Sequence, residues 1–245
     1  MSLTASLQDA VTLTRWDHPQ RILVDRFVAQ VARETPPGAR ILDAAAGQCI
    51  YEERFAHCRY VACDRTIGDT SWNYSRLDVI ADLAALPFSR NLFDVVLCTH
   101  ALEHVKDPAA VLTEMAALLK PGGRLYVSVP FLGDPIHQEP YDFFRYTHYG
   151  LRHLVQQAGL APVSISPMGG AFFLFCCFLW WYAIVYRADQ EPGSRPSGAR
   201  RAVRRAVGAG MLLLARFATM LTMRLGQTDR ASAHFTNGYT VVAQK

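Results

Sequence analysis

The stretch Arg40-Ile41-Leu42-Asp43-Ala44-Ala45-Ala46-Gly47-Gln48-Cys49 decides the fold of this 245-residue chain. A few apolar residues follow the breaker Pro36-Pro37-Gly38, reach an aspartate and run into a turn of small side chains. A run so short is a buried strand, and the turn lets backbone come close to a ligand. Upstream, Ile22, Leu23, Phe27, Val28 and Val31 recur at helical spacing. Downstream, Tyr60-Val61-Ala62-Cys63 ends at Asp64, and an extended piece follows around Leu77, Val79 and Ile80. Phe93-Asp94-Val95-Val96-Leu97-Cys98 is too short and too β-branched for a helix. Asp107-Pro108 caps and opens a helix lined by Val111, Leu112, Met115, Leu118 and Leu119, and Lys120-Pro121-Gly122-Gly123 breaks it and turns the chain. Residues 125–129 form a fifth strand, 149–158 a further helix, and 163–165 and 239–242 the last two strands. Such alternation predicts an α/β fold, a doubly wound and mostly parallel sheet.

Composition agrees. With 51% hydrophobic and 19% charged residues, the chain is neither disordered nor collagen-like. Its cysteines, at 49, 58, 63, 98, 176 and 177, contain no Cys-x-x-Cys pair, which reads as reduced cytosolic thiols, with no zinc site and no other metal expected. Asp9, Arg15, Asp17, Arg21, Asp25 and Arg26 interrupt any apolar leader, so the N-terminal part is expected in the cytosol.

In open α/β sheets, ligands bind beyond the carboxyl ends of the strands, where strand order reverses. Three such ends carry chemistry: the turn from Asp43 to Cys49, then Cys63-Asp64-Arg65, then Thr99-His100. Asp64 stands where a ribose diol would lie, and a carboxylate can accept both hydroxyl hydrogens. The plainer reading is that Asp43 caps a helix and Asp64 solvates a strand end. A dinucleotide would want Gly-x-Gly-x-x-Gly, and this turn has one glycine.

Five motifs stand in order: Ile41-Leu42-Asp43-Ala44-Ala45-Ala46-Gly47, Asp82-Leu83-Ala84-Ala85-Leu86-Pro87-Phe88, the strand 93–98, Ala101-Leu102-Glu103-His104-Val105, and Leu118-Leu119-Lys120-Pro121-Gly122-Gly123. Together they resemble the class I S-adenosylmethionine-dependent methyltransferases, in the type 11-like branch. The resemblance spans roughly residues 20–165 and the final strand. It implies a seven-stranded sheet with an antiparallel last strand, and S-adenosylmethionine as cofactor. By resemblance, Asp43, Ala45 and Gly47 line its methionine and ribose side. Asp64, beside Arg65, holds the ribose diol, Asp82 accepts from the adenine amine, and the Leu83 backbone meets the ring edge. Thr99 and His100 run alongside. The family's Gly-x-Gly-x-Gly is here Ala45-x-Gly47-x-Cys49, and alanine fits such a turn only if its φ is negative.

Methyl transfer from a sulfonium is an in-line displacement, so alignment supplies most of the acceleration. The stretch 137–148 resembles the family's acceptor-facing loop. His137 is the first candidate for base or acceptor orientation, followed by Tyr141 and His148. In the alternative, Tyr141, Asp142 and Arg145 tie the loop together. His104 reads as structural.

The chain divides into an N-terminal helical segment (1–35), a methyltransferase core (36–168), an insertion (169–235) and the final strand (236–245). The insertion is about 65 residues long, far beyond an ordinary loop. Residues 169–186 are uncharged and rich in Phe, Trp and Tyr, and 200–224 form a second helical stretch interrupted by Arg216. Nine Arg and no Lys lie between Arg187 and Arg230, among them Arg195, Arg200, Arg201, Arg204 and Arg205. Aromatics beside an Arg run suit a bilayer surface with anionic headgroups, contacted through 169–230 at the cytosolic face of a membrane. Since the last strand must return to the sheet, one span is excluded. A lid or a homodimer interface is the competing use. Nucleic acid is not expected, since the Arg run lacks interleaved aromatics. The sequence thus predicts a methyltransferase acting on an unidentified lipid-linked or amphipathic acceptor, and the alternative is a silent cofactor-binding or scaffold module.

Overall fold

The computed structural model describes residues 18–68, 71–188, 198–225 and 234–245. The chain forms two compact units: Val24–Pro167 with Gly238–Lys245, and Met1–Leu23 with Met168–Asn237.

The first unit holds a sheet. Helix α1 (Pro19–Glu34) precedes β1 (Arg40–Ala44), β2 (Arg59–Asp64), β3 (Val79–Ile80) and β4 (Phe93–Thr99). Helix α2 (Pro108–Leu118), β5 (Leu119–Pro130), α3 (His148–Gln157) and β6 (Ala161–Met168) follow, and β7 (Gly238–Gln244) completes it. The strand order is β3-β2-β1-β4-β5-β7-β6. Strands β1 to β5 pair in parallel, whereas β7 runs antiparallel to β5, with Arg124 opposite Gln244 and Pro130 opposite Gly238. This is the doubly wound, seven-stranded sheet that the sequence predicts.

β1 lies between β2 and β4, and Ile41, Leu42, Asp43 and Ala44 are all buried. A central parallel strand is covered on both faces, which is why it reads as a continuous apolar run. Leu42, Phe93, Val96 and Leu125 join Leu112, Met115 and Leu118 of α2 and Leu151 and Val155 of α3 in one core. Caps hold these helices: Asp107 Oδ1, the predicted cap, accepts from the Ala110 N–H (3.0 Å), and in the structure Thr147 Oγ1 accepts from the Gly150 N–H (3.1 Å). One element differs. The expected turn at Lys120-Pro121-Gly122-Gly123 is an irregularity inside β5, between the pairs Phe93–Leu119 and Val95–Arg124. Gly122 has φ +79°, and a Cβ on Gly123 would meet the Lys120 carbonyl oxygen at 2.9 Å. Glycine here permits a bulge, which local sequence does not distinguish from a turn.

In the second unit, helices α4 (Ala171–Ala188) and α5 (Gly198–Leu225) form a hairpin. Cys176 meets Thr219 and Thr222 across it, and both threonine hydroxyls donate to carbonyls one turn back. The Asn237 side-chain amide donates to Cys177 Sγ (2.9 Å). Arg195 lies outside the described residues, as do the side chains of Arg200 and Arg201.

Candidate cofactor and acceptor site

Strand order reverses between β1 and β4, and the carboxyl ends of these two strands bring Asp43-Ala44 and Thr99-His100 to one edge of the sheet. The turn after β1 is pinned to β2 by the Ala45 and Ala46 N–H groups, which donate to the Cys63 carbonyl (2.8 and 3.0 Å). Ala45, Gly47 and Cys49 all have positive φ, at +71°, +54° and +55°. Contrary to the expectation of a negative φ, Ala45 takes the glycine conformation, and so does Cys49. Each of these two side chains costs about 1–2 kcal/mol of backbone strain, which the turn's remaining bonds must hold in place.

Asp64 supplies two of those bonds. Its Oδ2 accepts from the Gly47 N–H (3.0 Å) and its Oδ1 from the Thr66 N–H (2.6 Å). The carboxylate therefore braces the turn while each oxygen keeps a lone pair for a ligand hydroxyl. Asp43 is buried, with one oxygen accepting from the Tyr60 hydroxyl and the other unpaired. Burial pushes its pKa up to about 7, the Tyr60 hydrogen bond opposes that shift and the Asp64 charge adds to it. Ser128, opposite Thr99 in the sheet, has a buried hydroxyl that is likewise unpaired. Asp82 pairs with Arg65 (3.1 Å) and accepts from the Ala84 N–H, so these two predicted residues sit together; Leu83 is buried in the core. His100 has φ +48°, and its N–H donates to the Ser128 carbonyl (2.8 Å). Unpaired acceptors beside a tight turn fit S-adenosylmethionine, which carries an ammonium group and a ribose diol.

The loop after β5 is tied by an ion pair. Asp142 takes two hydrogen bonds from Arg145 (2.5 and 2.9 Å) and one from the His137 N–H (2.8 Å). Burial raises its pKa, but these bonds outweigh burial and hold it below the ordinary carboxylate range. His137 Nδ1 lies 3.0 Å from the Pro135 carbonyl. Tyr141 has an exposed side chain, and its carbonyl meets His104 Nδ1 at 2.7 Å. His148 opens α3 against Tyr149 and Tyr239, with ring centroids 4.0 and 5.8 Å away and its Nδ1 unpaired. No hydrogen bond, ion pair or ring contact is seen between His148 and His137 among the described residues.

A sequence profile of the methyltransferase-domain family matches residues 16–165, which is more than half of the chain. The chain belongs to the class I S-adenosylmethionine-dependent methyltransferases. It is 38% identical over 120 residues to a demethylmenaquinone methyltransferase of Renibacterium salmoninarum, a match covering 46% of this chain and 47% of that protein. The chain spans about half the length of the curated relatives it matches. Among solved structures, the cyclase SpnF has a TM-score of 0.56 at 20% identity, covering 90% of this chain and 81% of that one. A phosphoethanolamine N-methyltransferase of Haemonchus contortus, in complex with S-adenosyl-L-methionine, has a TM-score of 0.52 at 15% identity, covering 90% of this chain and 52% of that one. These two likenesses concern the fold.

Two features of this methyltransferase escaped the sequence reading. Trp72 lies over the turn, so that a Cβ on Gly47 would meet its ring at 3.3 Å, and Gly68 is packed tightly against Trp72 and Tyr74. The one signal was an isolated tryptophan in a polar stretch. The other feature is Glu103, fully buried with both carboxylate oxygens unpaired. Burial pushes its pKa up to about 8. Its motif marked the family but gave this residue no task.

Proposed function

We propose that this chain transfers a methyl group from S-adenosylmethionine to a lipid-linked or amphipathic acceptor at the cytosolic face of a membrane. The strained turn at residues 45–49, braced by Asp64 and following Asp43 with its one unpaired oxygen, supports cofactor binding most directly. When bound, the cofactor supplies a methyl group on a positively charged sulfur. The chain's own residues hold and align. The spare lone pairs of Asp64 take the ribose diol, and the free oxygen of Asp43 takes a donor from the methionine side. Asp82 and the Leu83 backbone meet the adenine, with Arg65 orienting Asp82, while Thr99 and His100 line the passage to the acceptor. His137 orients the acceptor from a loop that Asp142 and Arg145 keep in place, and Tyr141 and His148 are the further candidates along the same stretch. Alignment of this kind replaces a bimolecular encounter by an effectively unimolecular step.

The hairpin supports the membrane reading. Its outward face carries Phe172, Phe175, Phe178 and Tyr182 on α4, and Val203, Val207, Leu213, Leu214, Phe217 and Leu221 on α5. Its buried positions include Cys176, Cys177, Ala183, Ala215, Ala218, Thr219 and Thr222, along with Phe173, Leu174 and Leu212. Large apolar groups outside and mostly small ones at the buried positions is the pattern of helices in lipid, the reverse of a water-facing pair. Ala202–Thr222 is long and apolar enough to cross a bilayer, and the described apolar part of α4, Ala171–Ala183, is shorter. That the relatives are named for demethylmenaquinone supports an amphipathic acceptor.

Calorimetric titration with S-adenosylmethionine and S-adenosylhomocysteine tests the cofactor: a folded protein binding neither overturns the reading. Co-sedimentation with anionic liposomes, weakened but not abolished by salt, tests the location. Protein that stays in the supernatant as a discrete dimer makes the hairpin a subunit interface instead.

A further inference from the structure

Glu103 lies in the short helical turn Leu102–His104 after β4, and neither carboxylate oxygen meets a hydrogen-bond donor. A fold retains a bare buried carboxylate only against something that satisfies it. Arg145 is already committed to Asp142 and to the carbonyls of Pro135 and Phe144. Two imidazoles face the carboxylate instead. His104 Nε2 is 3.7 Å from Glu103 Oε1, and the His137 ring stands edge-on to His104 with centroids 4.8 Å apart. One donor atom from each of the three residues lies within 4.8 Å of the other two.

The backbone also sets the tautomers. A carbonyl oxygen can only accept, so the Tyr141 carbonyl on His104 Nδ1 (2.7 Å) and the Pro135 carbonyl on His137 Nδ1 (3.0 Å) place a proton on each Nδ1. Both Nε2 atoms are left as lone pairs. A ring anchored through one nitrogen to a carbonyl, with the other free, is how ligating histidines are held. Asp142, 3.5 Å from His137 Nδ1, reinforces that anchor.

We propose that Glu103, His104 and His137 bind one divalent transition-metal ion, zinc(II) by preference, whose open position takes a hydroxyl oxygen of the methyl acceptor. Two imidazoles and a carboxylate, with a fourth position left over, are the donor set of a catalytic zinc site. Donors about 2.0–2.2 Å from a tetrahedral zinc stand roughly 3.3–3.5 Å apart. The Glu103–His104 pair is already near that spacing, and the widest separation closes by a shift of His137 on its loop. The cysteine spacing hid this site, because its donors come from two separate loops at the carboxyl edge. The acceptor role rests on the methyltransferase reading above, whereas the metal site does not. In the transfer, the acceptor hydroxyl gives its proton to solvent, and its oxygen forms the new bond to the methyl carbon. The carbon–sulfur bond breaks with its electron pair going to sulfur. His137 is then a ligand rather than a base.

The test uses the full chain, stripped with a chelator and titrated with zinc(II) by calorimetry and with cobalt(II) by visible absorption. The expected result is one equivalent bound, with d–d bands of a low-symmetry nitrogen and oxygen site. His137→Ala, on the loop, and His104→Ala should each weaken binding by at least roughly 10–100-fold, the loss that removal of even an outer partner causes. S-adenosylmethionine affinity should stay within a few-fold. Glu103→Gln should alter the bands; if it does not fold, the two histidine variants decide. Folded chain without cobalt bands, or metal binding unchanged in both histidine variants, overturns the site. Metal binding without any cofactor binding would instead sink the methyltransferase reading and leave the site standing.

Discussion

The sheet unit and the helical hairpin are built to opposite rules. In the sheet, Phe93, Leu97, Leu112 and Met115 are buried, and the carboxyl edge carries the polar groups. In the hairpin, most buried positions are cysteine, alanine or threonine, beside Phe173, Leu174 and Leu212, while the other described phenylalanines and several leucines face outward. Water drives the first arrangement, because apolar area removed from it stabilises the fold by about 25 cal/mol per Å². Nothing in water favours the second, which suits a medium as apolar as the exposed side chains. The two patterns meet where the sheet's last hairpin opens at Met168 and closes at Gly238, and on the membrane reading proposed above each suits a different solvent.

The largest test of that contrast uses one truncation in each unit. Leu97→Ala should destabilise the protein by about 3 kcal/mol, since it empties a fully buried site in the sheet. Phe217→Ala, at a position 61% exposed, should change stability in water by less than about 0.5 kcal/mol and yet lower liposome affinity. Denaturant melts and sedimentation read both. A core-sized loss at Phe217 would mean that this face is covered by protein.

The next contrast is titration. Burial pushes the Asp43 pKa up to about 7 from an ordinary 3.8. The folded state then keeps a proton that the unfolded chain has lost. This contribution is fully present below about pH 4 and is lost as pH rises toward 7, with a slope on the order of 1 kcal/mol per pH unit. Asp43→Asn should remove that slope from cofactor-free stability, measured as the difference between the two melts. Parallel curves would place the Asp43 proton elsewhere.

Smaller effects probe the turn. Asp64→Ala removes bonds to a charged group worth about 1.5–3 kcal/mol, so cofactor affinity should fall roughly tenfold or more. Because Asp64 also braces Gly47, some loss of stability should accompany it. An unaltered dissociation constant would reject the ribose assignment. Ala45→Gly should stabilise the protein by up to about 1 kcal/mol, as relief of the φ +71° strain exceeds the entropy cost of glycine. Destabilisation would mean that the Ala45 methyl is needed for packing.

The sequence by itself determined the alternation of strands and helices and an open, mostly parallel sheet, while the antiparallel last strand was legible only through the resemblance that the five motifs carry. The alternation follows from period and breakers: short β-branched runs such as 93–98 have no other stable use, and a cap such as Asp107 acts within one turn. It also brought Asp43, Asp64 and Thr99 to one edge, because strand ends in a parallel sheet must converge there. Tertiary structure alone decided the rest. Ala45 adopts a glycine conformation because β2 and Asp64 hold its neighbours. Glu103 is left without a hydrogen-bond partner, and His104 and His137 meet, because β4 and β5 are neighbours in the sheet and bring the turn after one beside the loop after the other. In α4, apolar residues occupy every side, so no period marks the outward face; only packing against α5 sets it. Local chemistry fixes elements and their order, whereas contacts between distant segments fix which atoms are left unpaired.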